Sequence, residues 1–159
     1  MFRPGFQAIA THRFGVWASD LSNPVFRAVF SALYNCLNVF VRNVYGIELC
    51  VTTNIGRRVH IAHQSGITIH PLATLGDDCL LRQGVTLGQA MYAPNQPAKP
   101  APTLGERVWI GANATIFGGA TIGDDVVIGP NSVVMTDIPS GSIVTAMPSR
   151  VMPRPPSKL

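Results

Sequence analysis

From Leu104 to Val134 an aliphatic side chain returns at every sixth residue: Leu104, Ile110, Ile116, Ile122, Ile128 and Val134. A glycine follows four of them (Gly105, Gly111, Gly123, Gly129). A small or short residue stands four places after most, at Val108, Ala114, Ala120, Val126 and Ser132. Period six fits neither a helix face nor the alternation of a half-buried strand. A hexapeptide period is the signature of a parallel β-helix. Each hexad supplies one short strand and one corner, the aliphatic points into a prism-shaped core, and successive coils stack the aliphatics into ladders. The glycines are expected to turn the corners through positive φ. An ordinary sandwich of short strands has no reason to hold phase over so many repeats.

The same period starts earlier. Leu49, Ile55, Ile61 and Ile67 are in phase; Ile69, Leu75, Leu81 and Leu87 then continue two residues out of step, which predicts a bulged corner at Ile67–Ile69. Between Leu87 and Leu104 the repeat is absent and the chain is rich in proline, so residues 88–102 are expected to form a loop extruded from the prism. Ile143 to Val151 is expected to add a last strand, and the proline-rich tail 153–159 is expected to stay unpacked. Ahead of the hexads, residues 5–20 read as a short helix that Gly15 weakens. Asn23 is a cap residue and Pro24 suits a first helical position, so a second, apolar helix is predicted from Pro24 to Val44, ended by Gly46. The expected organisation is a helical segment at 1–46, a β-helix at 47–152 and the tail.

The chain has 159 residues, of which 47% are hydrophobic and 13% charged, a balance that suggests surface covered by other subunits. Its formal net charge is +4 without a dense basic run, which argues against nucleic acid and suits a phosphate-rich ligand. Cys36, Cys50 and Cys79 form no paired framework and fit a reduced, cytoplasmic protein. The opening residues lack the pattern of a secretory signal. Helix 24–44 nearly reaches membrane-span length, but Arg27, Asn35, Asn38, Arg42 and Asn43 interrupt it. It is expected to pack on the β-helix or a neighbouring subunit, with peripheral membrane contact as the alternative. The terminal Ser-Lys-Leu is a peroxisomal address only in a eukaryote.

Histidine suits general-base chemistry near neutral pH. His63 stands two residues after the inward Ile61 and so on the outside of a coil, whereas His60 and His70 have different hexad phases.

Five pieces carry a family resemblance: GFQAIATHRFGVW, NIGRRVHIAHQSG, GVTLG, VWIGANATIFGGATIGDDVVIGPNSVV and AMPSRV. Together they span about Pro4 to Arg150 and resemble the serine acetyltransferase family of hexapeptide acyltransferases. The resemblance implies a mainly β fold, a left-handed parallel β-helix behind a short α-helical segment, assembled as a homotrimer with active sites shared between subunits. It implies acetyl-CoA as cosubstrate, a hydroxyl-bearing acceptor and no metal. The general base then falls on His63. The carboxylate that orients it falls on Glu48, where the family has Asp fifteen residues before the histidine. The cofactor groove falls on Gly88, Gly111, Ala112 and Pro130, with Arg150 positioned for a phosphate.

Two departures bear on the acceptor. The family's serine-contacting Asp lies upstream of the Gly-Phe motif, outside these residues, and its Arg-His pair near the loop end is replaced by Pro100-Ala101. These changes remove partners for an amino acid's charged groups, so a sugar hydroxyl of a polysaccharide or its precursor is the preferred acceptor over L-serine. Two other readings fit the same fold. One is a metal hydratase of the γ-carbonic anhydrase kind, which needs three His ligands meeting across a subunit interface; His60, His63 and His70 are near in sequence but differ in hexad phase. The other is a non-catalytic β-helix scaffold.

Overall fold

The structure, a computed structural model, describes residues 3–89, 101–148 and 152. The predicted loop, apart from its ends, the tail 153–159 and Arg150 lie outside the described residues.

Two helices precede the coils: α1 (Pro4–Ser19) and α2 (Pro24–Phe40), the latter prolonged by a π turn, Val41–Tyr45. Proline opens both helices, where a missing N–H costs nothing. The Asn23 side chain caps α2 by accepting from the Val25 and Phe26 amides at 2.9 and 3.3 Å. Gly46, at φ 63°, ends the turn in the left-handed conformation. Gly15 is not a weakness. A Cβ there would lie 2.5 Å from the Tyr34 ring, so glycine is what lets α1 and α2 approach.

The coils form three parallel sheets. One face carries β1 (Ile47–Leu49), β4 (Ile67–Ile69), β7 (Thr86–Gly88), β10 (Thr115–Phe117) and β13 (Val133–Val134). The second carries β2 (Asn54–Ile55), β5 (Thr74–Leu75), β8 (Thr103–Leu104) and β11 (Thr121–Ile122). The third carries β3 (His60–Ile61), β6 (Leu80–Leu81), β9 (Trp109–Ile110), β12 (Val127–Ile128) and β14 (Ile143–Val144). The last strand is thus shorter than the sequence predicts.

Strand register stacks the aliphatics into three ladders. Leu49, Ile69, Leu87, Ile116 and Val134 rise on the first face, Ile55, Leu75, Leu104 and Ile122 on the second, and Ile61, Leu81, Ile110 and Ile128 on the third. All are buried, and each contributes roughly 1.5–3 kcal/mol by leaving water.

Two expectations are corrected. Ile67–Ile69 is a regular strand in register with Ile47–Leu49, so the two extra residues sit before it, in the corner 62–66 that contains His63. The hexad glycines that follow the inward aliphatics are not there for positive φ. At the corners that conformation falls on Arg58, Asp78, Arg107, Asn113, Asp125 and Asn131, on Ser65, and on Gly66, Gly84, Gly118 and Gly141, glycines that stand elsewhere in the hexad. The glycines after the aliphatics are required by close stacking: a Cβ on Gly76 would meet the Gly105 carbonyl oxygen at 2.3 Å, and one on Gly111 the Pro130 nitrogen at 2.6 Å.

Ion pairs offset the cost of left-handed backbone at one column of corners. Arg58 donates to both carboxylate oxygens of Asp78 at 2.6 Å, and Arg107 to both of Asp125 at 2.7 and 2.9 Å. The Arg57 backbone N–H and guanidinium bind Asp77. These hydrogen bonds hold the Asp77, Asp78 and Asp125 carboxyls below their ordinary range.

At the open end, α1 covers the first coil. His12, 2% exposed, donates from Nε2 to the Thr53 carbonyl at 3.0 Å, while its Nδ1 is buried without a partner. Burial lowers the His12 pKa. Every one of these groups is less readily protonated in the folded chain, so each stabilises it above the unfolded pKa and loses that contribution as pH falls. Thermal denaturation is expected to show a first loss of stability below about pH 6.5 from His12 and a second below about pH 4 from the aspartates. A His12→Gln variant is expected to lack the first. A melting temperature flat from neutrality to pH 3 contradicts the assignment.

Candidate active site

One edge of the prism joins the third face to the first, and its corners stack coil upon coil. From the first coil upward they hold Ala62 to Gly66, then Arg82 to Gly84, Gly111 to Asn113 and Gly129 to Asn131. Backbone hydrogen bonds fix the column: Gly84 N–H to Ser65 O, Asn113 N–H to Gln83 O and Asn131 N–H to Ala112 O, each at 2.9 Å. Neighbouring coils are spaced by the strand separation, about 4.8 Å, so the corner of His63 lies roughly 10 Å below that of Gly111.

His63 occupies the enlarged first corner. The two extra residues push it outward, and the bend is held by Ser65 in left-handed backbone (φ 90°) and by Ser65 N–H donating to Tyr45 O at 2.9 Å. The side chain is exposed. It lines a cleft of about 510 Å³ together with His60, Ala62, Gln64, Arg3 and the first turn of α1. Gly5 makes this cleft possible, because a Cβ there would meet the Ile61 carbonyl oxygen at 2.1 Å. The lining mixes apolar groups from Pro4, Phe6, Ile61 and Ala62 with two imidazoles, a guanidinium and an amide, and among the described residues it holds no carboxylate.

Glu48 lies on the outer face of β1, opposite Thr68. The Ser65–Tyr45 and Ile67–Gly46 hydrogen bonds bring its strand beside the His63 corner. No hydrogen bond joins the two side chains among the described residues.

Higher on the same edge, Gly111, Ala112 and Pro130 share a groove of about 250 Å³ with Arg82, Leu80, Trp109 and Val127. The structure therefore gathers three of the predicted cofactor residues. Gly88 lies elsewhere, at the end of β7 on the first face, against the Phe117 ring. Sequence reasoning missed Arg82. It is exposed, and no ion pair holds it among the described residues. Its signal was available: the first residue after the inward Leu81 must fall at this corner, one coil below Gly111.

His60 points out from β3, His63 sits at the corner, and His70 lies past β4 with Nδ1 accepting from the Leu72 amide at 3.2 Å. The three do not converge, and among the described residues no group of three or more His, Cys, Asp or Glu is placed to hold a metal ion.

Comparison with known proteins shows the family. The bacterial transferase hexapeptide (six repeats) family model matches residues 101–135. The serine acetyltransferase of Synechococcus elongatus is 38% identical over 151 residues, 95% of this chain and 58% of that protein. That of Helicobacter pylori is 33% identical over 139 residues, covering 87% of this chain and 75% of the relative. The chain belongs to the serine acetyltransferase family. It nevertheless spans only 58% and 62% of the S. elongatus and Staphylococcus xylosus family members. Among solved structures, the Neisseria gonorrhoeae serine acetyltransferase in complex with serine superposes with a TM-score of 0.74 at 28% identity, covering 94% of this chain and 57% of that one.

The contact of α1 with the first coil shapes the cleft. Gly5→Ala is expected to push the start of α1 away from β3 and to destabilise the fold by about 1–3 kcal/mol. Chemical denaturation measures this, and an unchanged midpoint contradicts the packing.

Proposed function

We propose that the chain is an acetyl-CoA-dependent O-acetyltransferase with His63 as general base. The observation that carries this reading is the shared edge: His63 and the Gly111–Pro130 groove stand in one column of corners, so an extended thioester lying in the groove can reach the histidine. Membership of the serine acetyltransferase family supports it.

Acetyl-CoA supplies the acyl group as a thioester. His63 takes the proton of the acceptor hydroxyl as its oxygen adds to the thioester carbonyl. Collapse of the tetrahedral adduct breaks the C–S bond, and His63 returns the proton to the departing thiolate. Glu48 is the carboxylate that turns toward His63, fixes its tautomer and steadies the imidazolium. Arg82, on the coil just above the base, lines the same groove and donates to the amide oxygens of the cosubstrate's arm as it runs up the edge.

The groove is open on one side, where Leu80, Trp109, Val127 and Ile143 stack in register down the outer third face. Trp109 is 56% exposed, and an apolar ladder of this kind calls for cover. A neighbouring subunit of a homotrimer covers it and closes the groove.

For the acceptor we favour a sugar hydroxyl. The described lining of the His63 cleft offers donors for neutral oxygens and no carboxylate for an ammonium group. L-serine is the second reading, favoured by the names of the relatives. An acceptor screen with acetyl-CoA, following thiol release, decides between them: turnover with sugars and not with L-serine supports the first, and the reverse pattern supports the second.

His63→Ala is expected to lower kcat by about 10²–10⁴-fold in a folded protein, and full activity in that variant overturns the mechanism. Arg82→Ala is expected to raise KM for acetyl-CoA about tenfold with kcat nearly unchanged, as for loss of uniform binding. A fall in kcat alone contradicts the binding role.

A further inference from the structure

The least accounted-for surface is α2. Phe26, Val29, Leu33, Leu37, Phe40 and Val44 form one straight stripe along it, each 40–58% exposed. Their exposed area is on the order of 600 Å², the upper end of what a monomer leaves uncovered. The opposite side is polar, with Arg27, Ser31, Asn35, Asn38 and Arg42. A third side, through Phe30 and Tyr34, packs on α1.

We propose that α2 lies in the surface of a bilayer carrying anionic headgroups. Three observations select this occupant over a second copy of the chain. The apolar surface is broad: Val25, Ala28, Ala32 and Val39 widen the stripe to about half the circumference, whereas a paired helix covers only a narrow seam. From 24 to 47 the chain has no acidic residue to pair with Arg27 or Arg42 of another copy. The described residues of the helical segment hold Arg3, Arg13, Arg27 and Arg42 against Asp20 alone, a charge complementary to anionic lipid. Trp17, 49% exposed and edge-on to Phe30 at 5.2 Å, rims the patch as interfacial tryptophans do.

The helix, with its π turn, is long and apolar enough to cross a membrane at 22 residues. It does not cross. Its side through Phe30 and Tyr34 is packed on α1, and α1 is tied to the first coil by His12 on the Thr53 carbonyl, so spanning would draw α1 and its polar side chains into hydrocarbon. Lying in the interface buries the stripe, keeps the polar side in water and leaves the coils in solution. This placement is independent of the acyl-transfer reading.

The test is sedimentation of the full chain with vesicles of phosphatidylcholine alone or with about 30% phosphatidylglycerol. Binding is expected to the anionic vesicles, to weaken with salt, and to fall about tenfold or more in a Leu33→Asp, Phe40→Asp double variant. Both positions are exposed, so circular dichroism and native mass are expected to stay unchanged. Equal binding of the double variant overturns the proposal. So does wild-type protein that stays in the supernatant; if its mass by light scattering then drops on the double substitution, the face belongs to a second copy.

Discussion

Everything in this molecule hangs on the inward aliphatic ladders. A ladder rung gains dispersion contacts only when the rung above it sits at the strand spacing, so each coil fixes the height of the next. That constraint excludes Cβ atoms where coils touch, and it explains Gly56, Gly76, Gly105 and Gly111 better than conformational freedom does. It also decides where the left-handed corners fall. In one column these carry Arg and Asp, whose side chains pair between coils as Arg58–Asp78 and Arg107–Asp125.

Regular height turns sequence spacing into position. His63, Arg82, Gly111 and Pro130 are far apart in the chain, yet they share one edge because each follows an inward residue of the third face. The edge is regular except at its lowest corner. There two additional residues interrupt the period, and the chain spends them on projecting His63 toward the start of α1. The break in the repeat and the proposed base fall at the same corner.

Much of this was legible beforehand. The period predicts the three ladders, the Asn23–Pro24 start of α2 is correct, and the common corner of Gly111, Ala112 and Pro130 follows from counting hexads. Other features were not legible, for physical reasons. Phase alone cannot say whether two extra residues precede or follow Ile67, since Ile67 and Ile69 both point inward. A corner glycine looks the same whether it serves a turn or close stacking. Gly15 lowers helix propensity, and only the Tyr34 ring shows why it is there. The relation of Glu48 to His63 rests on family spacing, because side-chain rotation at an exposed strand face leaves no periodic trace.

The central claim is that one edge of the prism holds both the base and the donor groove. A crystal structure with bound CoA tests it most directly. The account predicts the thiol beside His63, the chain running up the edge past Arg82, and contacts to Gly111, Ala112 and Pro130 closed by a neighbouring subunit. CoA seated on the second face, away from this edge, would contradict it.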